Sequence, residues 1–204
     1  MSARRFSGSL LVLATHNQGK IDELVALLAP FGVSVRSASE FGLEAPEETE
    51  ASFVGNARIK AHHVSRSTNL PVLADDSGIE IDVLGGAPGV YTADWAEGPE
   101  GRDFLRAMEK AWAMIVQTGT APPFLGRFRC ALVLAWPDGH EEVFEGSAEG
   151  QLVWPLRGRL GHGYDPMFQP VGYDMTFAEM APGQKNLLSH RAAAFSQMTS
   201  KCFT

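Results

Sequence analysis

Apolar residues fall in short runs separated by polar segments, and the runs alternate between two periods. Leu10-Leu11-Val12-Leu13-Ala14 is continuous, the pattern of a strand buried on both faces. It breaks at Thr15-His16-Asn17-Gln18-Gly19-Lys20. Ile21, Leu24, Leu27 and Leu28 then recur at helical spacing until Pro30 and Gly32 end the pattern. The chain thus opens as strand, Gly-containing turn, helix, and residues 33–35 read as a second strand. Residues 52–66 predict a helix with Phe53, Ala57, Ile59, Ala61 and Val64 inward. Residues 70–74 predict a buried strand ending at the polar segment Asp75-Asp76-Ser77-Gly78. Ile79, Ile81 and Val83 alternate with Glu80 and Asp82, the signature of a separate, half-exposed strand.

Further along, Gly85-Gly86-Ala87-Pro88-Gly89 reads as a loop. Residues 102–118 read as a helix carrying Phe104, Leu105, Met108, Trp112 and Ile115. Extended runs at 128–136 and 142–147 flank Pro137-Asp138-Gly139, which makes a hairpin. Residues 158–163 form a Gly-rich loop, and 192–198 a terminal helix. Strand–helix alternation early and a hairpin later predict a mixed α/β architecture, with two lobes and polar loops meeting between them.

The 204 residues fit one domain with a real core, and 45% hydrophobic against 20% charged residues excludes a disordered chain. Lys plus Arg is 17 and Asp plus Glu is 24, a formal net charge of −7. That excess argues against nucleic acid or acidic membrane as partners, while leaving room for a local basic pocket. Cys130 and Cys202 lack ligand-like spacing and are expected to be buried free thiols. The apolar run at 10–14 is too short for a signal peptide or a membrane span, so a soluble, cytoplasmic protein is expected.

Chemistry concentrates where polar segments interrupt apolar elements. At residues 15–20, a turn opening a helix presents backbone N–H groups at the positive end of the helix dipole, and Lys20 adds a cation; the site suits a phosphate. Pro46-Glu47-Glu48-Thr49 precedes the helix bearing Asn56 and Lys60. Asp75 and Asp76 follow an apolar strand, where two carboxylates are costly unless paired, hydrated or metal-bound; one of them could instead take a proton from water. Gly161-His162-Gly163-Tyr164-Asp165-Pro166 offers close approach and flat faces for stacking a base. Lys185-Asn186 and Ser189-His190-Arg191 bring positive charge beside further donors. His62, His63 and His140 make no zinc set, and Ser77 lacks a nucleophile-elbow context.

Taken in order, these segments resemble the inosine/xanthosine triphosphate pyrophosphatase family. The matching run is residues 15–20, Glu48-Thr49 with Ser52-Phe53 and Asn56-Ala57, Lys60-Ala61, Ala74-Asp75-Asp76-Ser77-Gly78, and Gly85-Gly86-Ala87-Pro88-Gly89-Val90-Tyr91. It continues with Gly163-Tyr164-Asp165-Pro166, Thr176-Phe177-Ala178-Glu179, Lys185-Asn186 and Ser189-His190-Arg191. The resemblance implies an elongated mixed sheet in two lobes with a central cleft, a homodimer, and Mg²⁺-dependent cleavage of a nucleoside triphosphate into monophosphate and pyrophosphate. It also implies roles. Thr15, His16, Asn17, Gln18, Gly19 and Lys20 match the phosphate loop, and Glu48 and Asp76 the metal ligands. Asp76 matches the proton acceptor, and Ser77 a substrate contact. His162, Gly163, Tyr164, Asp165, Lys185, His190 and Arg191 match base and sugar contacts. Lys20 and Lys60 would neutralise the departing pyrophosphate. The chain departs from the family at His162, commonly Phe, and at Asp94, usually Arg. Two rivals remain: a Maf-like pyrophosphatase acting on modified pyrimidine nucleotides, and a nucleotide sensor without catalysis.

Overall fold

The computed structural model describes residues 3–203. Its strands are β1 (Leu10–Leu13), β2 (Ser34–Ser37), β3 (Val72–Ile81), β4 (Glu97–Gly98), β5 (Gly101–Arg102), β6 (Phe124–Ala135), β7 (Glu141–Leu152) and β8 (Phe168–Pro170). Its α-helices are α1 (Gln18–Leu28), α2 (Phe53–Thr68), α3 (Phe104–Gln117), α4 (Pro182–Leu188) and α5 (His190–Cys202). Six strands form one sheet in the order β2-β1-β3-β6-β7-β8, and β4 pairs with β5. β1 lies parallel to both β2 and β3, whereas β7 and β8 are antiparallel, so the sheet is mixed and the fold is α/β.

The chain divides into two compact units. The first comprises the residues up to Asp76, Cys130–Gly146, and the residues from Arg191 onward; the second comprises Ser77–Arg129 and Ser147–His190. The core of the first includes Leu11, Leu13, Leu24, Leu28, Leu73, Leu132, Leu134, Phe195 and Met198. These side chains come from β1, α1, β3, β6 and α5, the elements whose apolar residues alternate or recur on one face. Cys130 and Cys202 are buried free thiols here, as expected. The core of the second unit includes Ile79, Ile81, Met108, Ala111, Ile115, Phe128, Phe168 and Phe177. α3 contributes Ala107, Met108, Ala111 and Ile115, spaced three or four apart on one stripe. Leu105 falls off that stripe and is 52% exposed.

Three further boundaries differ from the pattern reading. β3 is one ten-residue strand that continues through Asp75-Asp76-Ser77-Gly78, where a break was expected. Polar side chains do not end a strand whose charges are paired, and both aspartates are. Residues 182–188 form α4, a short helix that carries too few apolar residues to show a period. The second strand begins at Ser34 and alternates half-buried with exposed, with no continuous apolar run.

The Gly-rich loop has a definite cause. Gly158 adopts φ +86, and a Cβ there would overlap the Ala178 carbonyl, which accepts hydrogen bonds from the Arg159 (3.0 Å) and Leu160 (2.9 Å) amides. Gly158→Ala is therefore expected to destabilise the protein by about 2 kcal/mol or more, through positive φ and the backbone collision together. A urea midpoint equal to that of the parent protein would rule this out.

Candidate active site

The first unit carries residues 15–20. β1 ends at a turn in which Thr15 Oγ1 accepts from the Asn17 amide (3.2 Å) and Asn17 Oδ1 accepts from the Lys20 amide (3.2 Å). Asn17 is thus the N-cap of α1. His16 Nε2 donates to the Leu43 carbonyl (2.9 Å), and Gln18 Nε2 to Asp22 Oδ1 (2.7 Å). Gly19 lies in the first turn of the helix, so a ligand approaches backbone here with no side chain in the way. Lys20 extends from the same turn and reaches Asp75 Oδ1 at 2.5 Å.

Asp75 and Asp76 are sequence neighbours in β3, so their side chains leave opposite faces and meet different surroundings. Asp75 is 1% exposed. Its Oδ1 contacts Lys20, and its Oδ2 accepts from Arg191 Nε (2.8 Å) and from the Cys130 thiol (3.2 Å). Burial alone would raise its pKa, but the Arg191 and Lys20 charges beside it hold it well below the usual carboxylate range. Asp75 is a fixed anion with both oxygens engaged. The same carboxylate and its own burial push the Cys130 thiol well up, which keeps that sulfur protonated and inert.

Asp76 behaves in the opposite way. Its Oδ1 accepts from Lys60 Nζ at 2.9 Å, while its Oδ2 is buried and has no hydrogen-bond partner among the described residues. Burial raises its pKa to about 6; the Lys60 and Lys20 charges oppose the rise, and Glu48 adds to it. Two adjacent carboxylates thus differ in acidity: Asp75 is held ionised by its cations, while burial lifts Asp76 to about 6.

α2 supplies Lys60. Its buried face runs Phe53, Asn56, Ala57, Lys60, Ala61 and Val64, so two polar residues one turn apart interrupt an otherwise apolar stripe. Asn56 Oδ1 accepts from the Glu50 amide (2.9 Å) and fixes the segment bearing Glu48. Lys60 Nζ lies 3.3 Å from Glu48 Oε2 and so links both carboxylates. Burial would lower its pKa, yet Asp76 and Glu48 outweigh that and hold it charged.

The second unit holds residues 161–166. Asp165 Oδ2 accepts from Lys185 Nζ (2.6 Å) and from the His162 amide (2.7 Å). The paired Lys185 and Asp165 side chains are 5% and 3% exposed, so neither is a surface charge. Gly161 has positive φ, and any Cβ there would collide with the Asp165 carboxylate, so the loop can wrap it only as glycine. Gly163 follows with φ +66, and His162 between them is half-buried. Tyr164 packs edge-on to Phe104 with ring centres 6.2 Å apart, and burial keeps its hydroxyl a neutral donor. His190 is buried and stacks on Phe128 at 4.9 Å and 13°. Ser77 is half-buried on β3, and Asp94 is exposed in a 3-10 turn at Asp94–Ala96.

Arg191 was grouped by resemblance with the base and sugar contacts. Its guanidinium is 1% exposed in the first unit and engages Asp75 and Glu23. Glu23 belongs to no motif in the sequence; its one signal there is its position one turn after Lys20 on α1. Of the remaining histidines, His62 pairs with Glu141 (2.7 Å) and His140 with Glu142 (2.9 Å). Among the described residues, no group of three or more His, Cys, Asp or Glu side chains is arranged to hold a metal. No helix among them is long and apolar enough to cross a membrane.

Comparison with known proteins is consistent with this arrangement. A model of the Ham1 family matches residues 11–201. A Ruegeria pomeroyi protein named dITP/XTP pyrophosphatase is 60% identical over 200 residues, covering 98% of each chain. A Rhodospirillum centenum protein of the same name is 50% identical over 200 residues, again covering 98% of each. The solved structure of a HAM1 protein from Coxiella burnetii superposes with a TM-score of 0.85 at 33% identity, covering 95% of this chain and 98% of that one.

Proposed function

The chain belongs to the Ham1 family, and from that premise we propose that it hydrolyses dITP and XTP to the monophosphate and pyrophosphate. The observation that carries the chemistry is the split aspartate pair. Asp76, with a buried and unpartnered oxygen, accepts a proton from the water that attacks the α-phosphorus. Lys20 and Lys60 meet the charge that builds on the departing pyrophosphate, and the α1 N-terminus and Asn17 turn orient the phosphates. In the second unit, Lys185, the His190 ring and the loop glycines serve the base. A 6-oxo purine presents an acceptor where adenine presents a donor, and a mismatch of that kind discriminates by about 10⁴.

The residues fit Mg²⁺. Asp76 Oδ2 is a buried hard oxygen donor with no hydrogen-bond partner among the described residues, and Glu48 is a 41% exposed carboxylate beside Lys60. Mg²⁺ characteristically takes one or two carboxylates and completes its shell with water and substrate phosphate, so a two-carboxylate set suffices. Glu48 and Asp76 would hold it; when bound it supplies Lewis-acid stabilisation of the phosphate oxygens. We further propose a homodimer in the cytoplasm, for which light scattering and fractionation are the checks.

A panel of dITP, XTP, dATP, dGTP and a methylated pyrimidine triphosphate tests the reading. Faster turnover of dITP and XTP, with pyrophosphate released, supports it. Preference for the pyrimidine substrate, or binding of dITP without turnover, overturns it.

The acidity of Asp76 sets a pH dependence. Only the ionised carboxylate accepts a proton, so the rate is expected to fall about tenfold per unit below pH about 6, and raising Mg²⁺ should move the inflection lower because a cation favours the anion. A profile flat down to pH about 4.5 at limiting Mg²⁺ contradicts Asp76 as the base.

A further inference from the structure

Four charged groups in the first unit form a closed chain that the catalytic reading leaves unexplained. Lys20 and Glu23 lie one turn apart on α1. Lys20 Nζ contacts Asp75 Oδ1 (2.5 Å) on β3. Asp75 Oδ2 accepts from Arg191 Nε (2.8 Å), and Oδ1 also faces Arg191 Nη2 (3.4 Å), so α5 presents a two-pronged guanidinium to one carboxylate. Arg191 Nη1 turns back to Glu23 Oε2. The circuit therefore runs from α1 through β3 and α5 and returns to α1.

Its charges balance: two cations, Lys20 and Arg191, alternate with two anions, Asp75 and Glu23. The Arg191 and Asp75 side chains are 1% and 0% exposed, and Glu23 is 12% exposed, so water does not compensate for a missing member. A long lysine at the mouth of a phosphate loop has several rotamers and loses entropy when ordered. Here one of its partners is itself held by a planar fork, and a fork fixes a carboxylate in orientation as well as position.

We propose that Glu23 is a positioning residue: through Arg191 and Asp75 it fixes where the Lys20 ammonium stands and so sets the affinity of the loop for the β- and γ-phosphates. Glu23 touches no substrate. The inference rests on the reading of residues 15–20 as a phosphate site, and it gives Arg191 a role in the triphosphate subsite. It also implies that Asp75 serves neither as base nor as metal ligand, because its oxygens hold the two cations.

The test is a double-mutant cycle on the whole protein with inorganic tripolyphosphate, a probe that has phosphates and no base. Glu23→Gln is expected to weaken tripolyphosphate inhibition of dITP turnover about tenfold and to raise KM more than it lowers kcat. In a Lys20→Met background the same change is expected to have less than a twofold effect, because the group it acts through is gone. Equal effects in both backgrounds overturn the proposal and leave Glu23 a residue of stability alone. If Glu23→Gln does not fold, Arg191→Lys replaces it in the cycle, since lysine keeps the charge facing Asp75 and loses the second arm. The ¹⁵N resonance of the Lys20 ammonium separates this inference from the phosphate reading. It is expected to be sharp in the parent protein and broadened in Glu23→Gln, with or without a ligand; an unchanged resonance overturns the positioning role. Failure of the parent protein to bind tripolyphosphate, with the broadening still seen, overturns the phosphate reading instead.

Discussion

Asp76→Asn is expected to lower kcat about 1,000-fold while the protein stays folded. General-base catalysis contributes about 10²–10⁴, and the amide keeps the shape of the carboxylate without its basicity. The stability effect has a definite sign. The folded pKa of about 6 lies above the ordinary 3.8, so the protonated form is favoured by folding and that stabilisation is lost as pH rises through about 6. A shift of that size corresponds to roughly 3 kcal/mol. Asparagine escapes this loss. The Tm of the variant relative to the parent is therefore expected to rise between pH 4 and 7, even though Lys60 loses one of its two anionic partners. Near-normal turnover by Asp76→Asn would move the base role to another group.

Asp75→Asn, one residue earlier, is expected to do the reverse. It removes the anion shared by two buried or half-buried cations, and an uncompensated buried charge costs about 3–5 kcal/mol. The folded pKa of Asp75 is depressed, so its stabilising contribution is fully present above the ordinary carboxylate range and is lost only as pH falls through the folded value. The gap between variant and parent is thus expected to persist at pH 5 and to close only in stronger acid. Urea unfolding at pH 7 and pH 5 reads both. A variant within about 1 kcal/mol of the parent at pH 7 means that the Lys20–Asp75–Arg191 contacts contribute little.

The opposite behaviour of these neighbours explains what was legible in the chain and what was not. The period-based elements were readable: β1, α1, α2 and α3 stand where their apolar residues repeat, and the buried positions of α2 were named correctly at Phe53, Ala57, Ala61 and Val64. β3 was cut in two because local hydropathy treats Asp75-Asp76 as a break. What keeps the strand going is pairing with Lys20, Arg191 and Lys60, which lie 55, 116 and 16 residues away from their partners in sequence. α4 was missed because Lys185 is buried by its ion pair with Asp165, a contact 20 residues distant that has no period.

The candidate site residues carry a different signal from the elements. Thr15 to Lys20, Glu48, Asp76 and the 162–165 loop were singled out by residue type and order along the chain. The structure brings Lys20, Lys60, Glu48, Asp75 and Asp76 together within one unit through direct contacts. Asp75 and Asp76 could not be told apart in sequence, since each follows the same apolar strand. Only the identity of their partners separates them. For Arg191, residue type suggests an anion or carbonyl donor; its partners in the fold are two acidic side chains, Asp75 and Glu23, which residue type alone does not pick out.

Hydrolysis of dITP in ¹⁸O-labelled water follows the attack itself. If Asp76 activates water against the α-phosphorus, one labelled oxygen appears in dIMP and the pyrophosphate released is unlabelled. Label in the pyrophosphate would place the attack on the β-phosphorus, and labelled orthophosphate would place it on the γ-phosphorus; either would contradict a pyrophosphohydrolase built around Asp76.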